Sequence, residues 1–441
     1  MQGNQVRRWN EMDESVGTLQ FTTIGDIIKK HREQASLSIT QLSNLSGVHK
    51  GVISKIELGD TKRPELRTIK AISHVLEIPY QKIVAHYIDV EKRVETLKEL
   101  LLEAVQFANE PLVSKVAVKL LESPQEDTYN AIEQLYLLTK NLTETAFQLL
   151  LYKIIAQYAR ERGVPPYVAK SLLQIYLIER LDLKQMEDSF KAGEEILYYV
   201  DFLSQEEKII YYFRMGLQAF AIKKYKQCIE LCEAGLALET TETELKARAY
   251  LAMINSYYFL DNFDAVEKHL DVFEKFRYDF VTDATKTTRG IVKARLKKYD
   301  TAIPLLRRCL DEVSKDIKIH VVTELLDVYF QTEDMDSIAE LLAREEEFLP
   351  DSPQTPYKHV SIGIYHQHKG NYMVRMGQLD AGMNSYVTSL QAYGTVNAEE
   401  EIVKCMADIF SYFSNNSKSM DLHFVDMIHQ VYNNYIGKNR K

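Results

Sequence analysis

Between Gly47 and Gly59 the sequence reads GVHKGVISKIELG. His49, Lys50, Gly51, Ser54 and Lys55 give a helix with a small, basic, hydroxyl-bearing side, backed by Ile53 and Ile56. Lysines so spaced can donate to guanine O6 and N7 or to phosphate oxygens, and a serine hydroxyl can donate or accept. The glycine lets a helix backbone approach its target closely. Lys62, Arg63 and Arg67 follow at once and suit contacts to a phosphate backbone. Glu57 fits an internal ion pair better than a base contact. The stretch also admits a blander reading, a helical docking domain with a solvated basic face, although such a domain has little need of an exposed glycine and serine.

Elsewhere, residues able to do chemistry are sparse. Cys228 and Cys232, at i and i+4, could hold half a metal site, but no second Cys or His pair completes it. They read as buried apolar filler. His366 and His368 point to different helix faces. No nucleophile triad, glycine-rich phosphate loop or HExxH appears. The expectation is therefore no catalytic residue, no metal and no cofactor. The acidic runs Glu345–Glu347 and Glu399–Glu401 read as solvated helix faces.

The elements that must position the basic stretch are short helices. Thr23 to Glu33 is amphipathic through Ile24, Ile27 and Ile28. Ser38 caps a second helix that turns Leu42 and Leu45 inward and ends at a left-handed Gly47. The third helix is the basic stretch itself. A fourth carries the stripe Leu66, Ile69, Ile72, Val75 and Leu76, and a fifth starts near Pro79. Two short helices across a tight glycine turn present the second to a major groove. Charge agrees: the chain carries −9 overall, but residues 22–89 carry about +3 and residues 90–441 about −11. A small basic head sits on a large acidic body.

The run Ile24–Val84 resembles the Cro/C1-type (XRE-type) helix-turn-helix domain. The resemblance rests on Thr40-Gln41-Leu42, Gly47-Val48, Ile53 through Glu57, Gly59 and Ile78-Pro79. It implies that Gln41 binds phosphate, that His49, Lys50 and Gly51 reach the bases, and that Ser54 and Lys55 follow them.

From Tyr87 onward the apolar spacing is helical, Pro and Gly are rare, and a repeat emerges. Its large apolar position is held by Leu183, Tyr225, Phe263, Tyr299, Met335 and Leu379, with Met186, Cys228, Val266, Ala302, Ile338 and Gly382 three residues later. These six copies resemble tetratricopeptide repeats with longer turns, flanked by a divergent first repeat at 128–161 and a capping one at 399–435. The resemblance implies a right-handed superhelix whose first helices line a concave groove. Its lining is expected to include Phe213, Leu217 and Phe220; Arg248, Leu251, Asn255 and Tyr258; Ile291; Thr323, Asp327 and Phe330; and Gln367 and Asn371. Asn255 and Asn371 share a repeat position, where an asparagine can bond both backbone groups of an extended peptide. Either could instead cap or bond a neighbouring helix.

Together the halves resemble the peptide-pheromone receptors of Gram-positive bacteria, the Rap/Rgg/NprR/PlcR/PrgX group, and NprR-like members most. The expected all-α chain divides into a flexible arm at 1–21, a helix-turn-helix domain at 22–86, a helical linker at 87–127 and a repeat domain at 128–441. The resemblance implies a quorum-sensing transcription regulator. It would bind an inverted-repeat operator as a homodimer or larger homo-oligomer, and a short imported signalling peptide in its groove. A peptide-gated inhibitor of a phosphorelay response regulator and a ligand-free scaffold are the alternatives. Arg7 and Arg8 precede no apolar segment, no run approaches the ~18 residues that span a bilayer, and cysteines are few. A cytoplasmic protein without membrane contact is expected.

Overall fold

The computed structural model describes residues 23–433 except 351, 354, 417 and 418. The expected arm at 1–21, with Arg7, Arg8 and Trp9, lies outside the described residues. Those residues form an all-α chain of 23 α-helices, with no strand among them. No helix among them is long and apolar enough to cross a membrane.

The chain forms two compact units that divide at Ser171/Leu172. The first begins with α1 (Ile24–Gln34), α2 (Ile39–Ser46), α3 (Lys50–Glu57), α4 (Leu66–Val75) and α5 (Tyr80–Val90). Thr23 and Ser38 each close a capping box, satisfying N–H groups that a helix start leaves open. Ile28, Leu42, Ile53, Ile69 and Ile72 form the fully buried centre. Gly25 lets α1 touch α3, since a Cβ there would lie 2.2 Å from the Ile56 carbonyl oxygen. Leu45, expected inward, is 63% exposed: α2 ends one residue later and nothing among the described residues covers that side of its last turn.

The expected helical linker at 87–127 includes the stretch 90–102, which is not one helix. Instead, extended residues at Glu91 and Arg93 separate α5 from α6 (Val94–Gln106). This break is pinned. Glu91, with a fully buried side chain, accepts from the Tyr87 hydroxyl at 2.8 Å and from the Arg93 guanidinium at 2.5 Å. Burial pushes the Glu91 carboxyl up, but bonds from Arg93, Tyr87 and two backbone amides outweigh it and hold it at about 2. Helix α7 (Glu110–Leu121) returns along α6, and Lys115 bonds the Ala85 carbonyl and Asp89, both at 2.8 Å. Residues 87–127 are thus a helical hairpin fastened to the head. Helices α8 (Thr128–Lys140) and α9 (Thr145–Glu161) complete the unit, and the division falls within α10 (Pro165–Glu179).

The second unit continues with α11 (Met186–Glu194) and then stacks helix pairs: α12 (Gln205–Ala221) with α13 (Tyr225–Leu238), α14 (Glu244–Phe259) with α15 (Phe263–Phe273), and α16 (Asp279–Arg295) with α17 (Tyr299–Glu312). Next come α18 (Lys315–Gln331) with α19 (Met335–Leu342), α20 (Pro356–Arg375) with α21 (Leu379–Thr395), and α22 (Glu399–Asn415) with α23 (Leu422–Val431). Tyr225, Phe263, Tyr299, Met335 and Leu379 each open the second helix of a pair. Two residues before each lies a left-handed residue: Lys223, Asp261, Lys297, Glu333 and Gly377. The next amide bonds back five residues each time, as Lys224 does to Ala219 and Lys298 to Lys293. This is one Schellman turn repeated.

Candidate functional site

In the head, α3 presents a polar face from a rigid base. Arg32 of α1 donates twice to Glu57, both bonds 2.7 Å, and once to the Leu37 carbonyl at 2.9 Å. The two side chains are 12% and 5% exposed, so Glu57 is the internal partner its position suggested. Lys50, Lys55, Lys62 and Arg63 are exposed and have no acidic partner among the described residues. Ser54 stands half-exposed between them. Arg67 is exposed but pairs with Glu65 at 2.6 Å.

Gln41 spends its carbonyl oxygen on the cap, accepting from the Ser38 amide at 2.8 Å and hydroxyl at 2.9 Å. Its amide nitrogen is left as a donor at the start of α2, where a helix terminus favours an anion. His49 caps α3, its Nδ1 accepting from the Gly51 amide at 3.2 Å, which leaves Nε2 for contacts outward. A Cβ at Gly51 would lie 3.3 Å from that Nδ1, so the glycine makes room for the cap as well as for any target. Val52, 40% exposed on α3, was not singled out in the sequence; its apolar surface suits a thymine methyl.

In the repeat array, first helices meet across an interior. Tyr357 of α20 packs on Phe220 of α12 at 5.9 Å and on His320 of α18 at 4.3 Å. Leu217, Phe220, Leu251, Asn255 and Tyr258 are half-buried, and Asn255 has no side-chain partner among the described residues. Phe213 is a correction: it is fully buried against its own pair, its ring where a Cβ on Gly235 would sit at 2.5 Å. Ile291 is half-buried against the core of the next pairs, and Thr323 is buried with its hydroxyl on the His320 carbonyl at 2.9 Å.

The remaining lining residues are committed to neighbours. Arg248 pairs with Glu244 at 2.6 Å and lies over the Phe280 ring at 4.7 Å. Asp327 accepts from Gln331 at 3.2 Å. Phe330 stacks on His368 at 5.2 Å. Gln367 and Asn371 both donate to Asp408 of α22, at 2.7 and 3.1 Å. Their oxygens accept from Tyr393 at 2.9 Å and Tyr386 at 2.5 Å. Asn255 and Asn371 therefore share a repeat position and not a situation: only the second has a helix beyond it that supplies a carboxylate.

Charged groups missed in the sequence mark this interior. Burial, then Asp327, pushes the Glu324 carboxyl up to about 7, against the pull of Arg295. Burial and then the Arg180 charge weaken the hold of Arg214 on its proton. Asp327 shares helix α18 with Glu324, three residues on, but Arg295 and Arg180 reach Glu324 and Arg214 from outside their own helix pairs, which spacing alone could not reveal.

A helix-turn-helix family model matches residues 28–83. Among curated proteins, the HTH-type transcriptional regulator SlrR of Bacillus subtilis (strain 168) is 29% identical over 157 residues, 34% of this chain and 97% of SlrR. The HTH-type transcriptional repressor RghR of the same organism is 36% identical over 69 residues, 15% of this chain and 51% of RghR. RghRB, another regulator there, is 32% identical over 79 residues, 18% of this chain and 57% of RghRB. The chain thus spans nearly all of the first and about half of the other two. Among solved structures, phAimR matches at 13% identity with a TM-score of 0.41, covering 92% of this chain and 100% of phAimR. Bacillus thuringiensis PlcR, in complex with the peptide PapR7 and DNA, matches at 14% identity with a TM-score of 0.22, covering 88% of this chain and 99% of PlcR. The head is therefore a helix-turn-helix domain similar to those of these transcriptional regulators.

Proposed function

We propose that this regulator reads an inverted-repeat operator with α3 in the major groove and answers to a short signalling peptide held inside its repeat array, in the manner of the NprR-like peptide receptors. The observation that carries the DNA half is the outward face of α3, whose lysines are uncommitted while Arg32 and Glu57 fix the helix behind them. Lys50 and Lys55 read guanine edges, Ser54 and His49 assist, and Gln41, Lys62, Arg63 and Arg67 hold phosphates. One such head covers only about 600–1,000 Å², too little for tight specific binding, so two heads act together through a dimer of the arrays. Half-sites then lie about 34 Å or a multiple apart.

The peptide half rests on Asn255 and the half-buried Leu217, Phe220, Leu251 and Tyr258 around it. A full switch between two head arrangements takes about 5.5 kcal/mol of preference for one state. Backbone bonds of about 0.5–1.5 kcal/mol each do not supply it alone, so apolar peptide side chains supply the rest. The hairpin α6–α7 connects array to head. Fluorescence anisotropy of the full chain on genomic fragments, over a salt series, tests the first half; binding without salt dependence or sequence preference refutes it. Calorimetry with peptides encoded by the short reading frame beside the gene tests the second.

A further inference from the structure

An open helical array touches only its neighbours in sequence. This one is fastened across its own ends. In the turn between α12 and α13, the Lys223 ammonium sits on Glu400, at 2.7 Å, and on Glu401, both in the first turn of α22. Those partners lie 177 and 178 residues away. Bonds from Lys223 and then Lys404 hold the Glu400 carboxyl down at about 2. The Glu401 side chain is only 13% exposed, and its other oxygen is buried without a partner, so Lys223 is what neutralises it. Beside this pair, the Asn397 side chain donates to the Lys184 carbonyl at 2.7 Å, a contact 213 residues apart in sequence. Within the ring so formed, Tyr357 meets Phe220, and Tyr357 is still 38% exposed, which leaves open space beside it.

We propose that Lys223, Glu400, Glu401 and Asn397 form a clasp that closes the repeat array into a ring and must open for an extended chain to enter or leave the interior. The second clause rests on the peptide reading given above; the ring and its clasp do not. The contacts are few and polar, and Lys223 is 41% exposed, so salt and single substitutions suffice to loosen them. They also join elements that share no other local sequence, so opening leaves each helix pair intact.

Two measurements on the full chain test the clasp. Spin labels at Lys226→Cys and Val403→Cys, both exposed, report the seam; the four native thiols are buried. The parent gives one short distance. Lys223→Glu combined with Asn397→Ala gives a second, longer population, as does raising salt from about 0.05 to 1 M in the parent. Adding Glu400→Lys and Glu401→Lys to Lys223→Glu restores the short distance. In parallel, an Asn255→Cys variant reacts with a bulky polyethylene-glycol maleimide at least tenfold faster once the clasp is broken. Unchanged distances in the broken variants, with circular dichroism of the folded chain, overturn the clasp. Failure of the reversed charges to restore the seam overturns the ion pair as its cause. An opened seam with unchanged labelling overturns its control of access. Should every labelling result hold while no encoded peptide binds, the peptide reading falls and the clasp stands.

Discussion

The outward face of α3 and the interior of the repeat array are both lined with polar residues, yet they are prepared in opposite ways. On α3 the donors are uncommitted, and the bonding is spent behind the helix, where Arg32 and Glu57 fix its angle. In the array the lining groups bond one another: Gln367 and Asn371 share Asp408, and Arg248 holds Glu244. A phosphate or base edge meets α3 at little cost in lost protein contacts. A ligand bonding Gln367, Asn371 or Arg248 would replace contacts already made, with a smaller net gain per bond, whereas Asn255 is as uncommitted as the α3 lysines.

The largest effect expected from breaking this contrast lies behind α3. Arg32→Ala strands a nearly buried Glu57 carboxylate and should cost about 3–5 kcal/mol of head stability, seen as early melting of the first unit. DNA binding is then lost with the fold. A double replacement by apolar residues of similar volume, Arg32→Met with Glu57→Leu, should recover most of that loss. On the open side, Lys50→Ala and Lys55→Ala should each cost about 1–3 kcal/mol at the operator and relax base preference, with no change in melting. Gln41→Ala should weaken all sequences alike. Anisotropy on matched and scrambled duplexes separates the two outcomes.

Inside the array the two asparagines should part company. Asn371→Ala removes a partner from both Asp408 and Tyr386 and should destabilise the second unit by about 1–3 kcal/mol. Asn255→Ala breaks no side-chain bond among the described residues and should leave melting unchanged while weakening peptide binding by about 0.5–1.5 kcal/mol. Glu324 adds a pH signature. Its carboxyl sits at about 7 instead of the ordinary 4.5, so the folded array holds this proton more tightly than the unfolded chain. Stability therefore falls as pH rises from about 4.5 to about 7 and stays at the lower level above. Glu324→Gln should be more stable than the parent by about 1–2 kcal/mol at pH 8 and indistinguishable from it near pH 4.5, by calorimetry.

Head and array also differ in how far their sequences could be read. In the head the signals are local: Ser38 caps, Gly47 turns left-handed, and Ile53 and Ile56 face in, all within a few residues of what they do. Even Glu57 was legible as an ion-pair partner, though not that Arg32 held it. In the array, periodicity located the start of the second helix in five pairs, because a large apolar residue must fill the same gap each time. It could not separate Phe213 from Phe220, which depends on whether Gly235 leaves a hole for one of them. Nor could it foresee Asp408 taking up Asn371, or Lys223 reaching α22, since both depend on how far the array curls. The break at Glu91–Arg93 was hidden for the same reason: its cause, the Tyr87 and Pro64 contacts, lies across the fold.

The smallest effect expected concerns the repeated turn, and it asks whether the array keeps left-handed residues for reasons other than stability. A side chain in that conformation costs about 1 kcal/mol relative to glycine, which adopts it without strain. Of the five turns that share this motif, four carry such a residue and one, at Gly377, carries glycine. Lys297 is exposed and makes no side-chain hydrogen bond or ion pair among the described residues, so no such bond offsets its strain. Replacing it by glycine relieves that strain but also loosens the unfolded chain, and the two terms oppose. Lys297→Gly should therefore stabilise the second unit by only about 0.5 kcal/mol. Lys223→Gly, with the same backbone angle, gains the same relief and loses its bonds to Glu400 and Glu401. It should be neutral or destabilising by a similar amount in chemical denaturation, and the difference between the two variants should shrink at high salt. Equal gains at both turns would mean that the ion pair across the ends contributes nothing to stability.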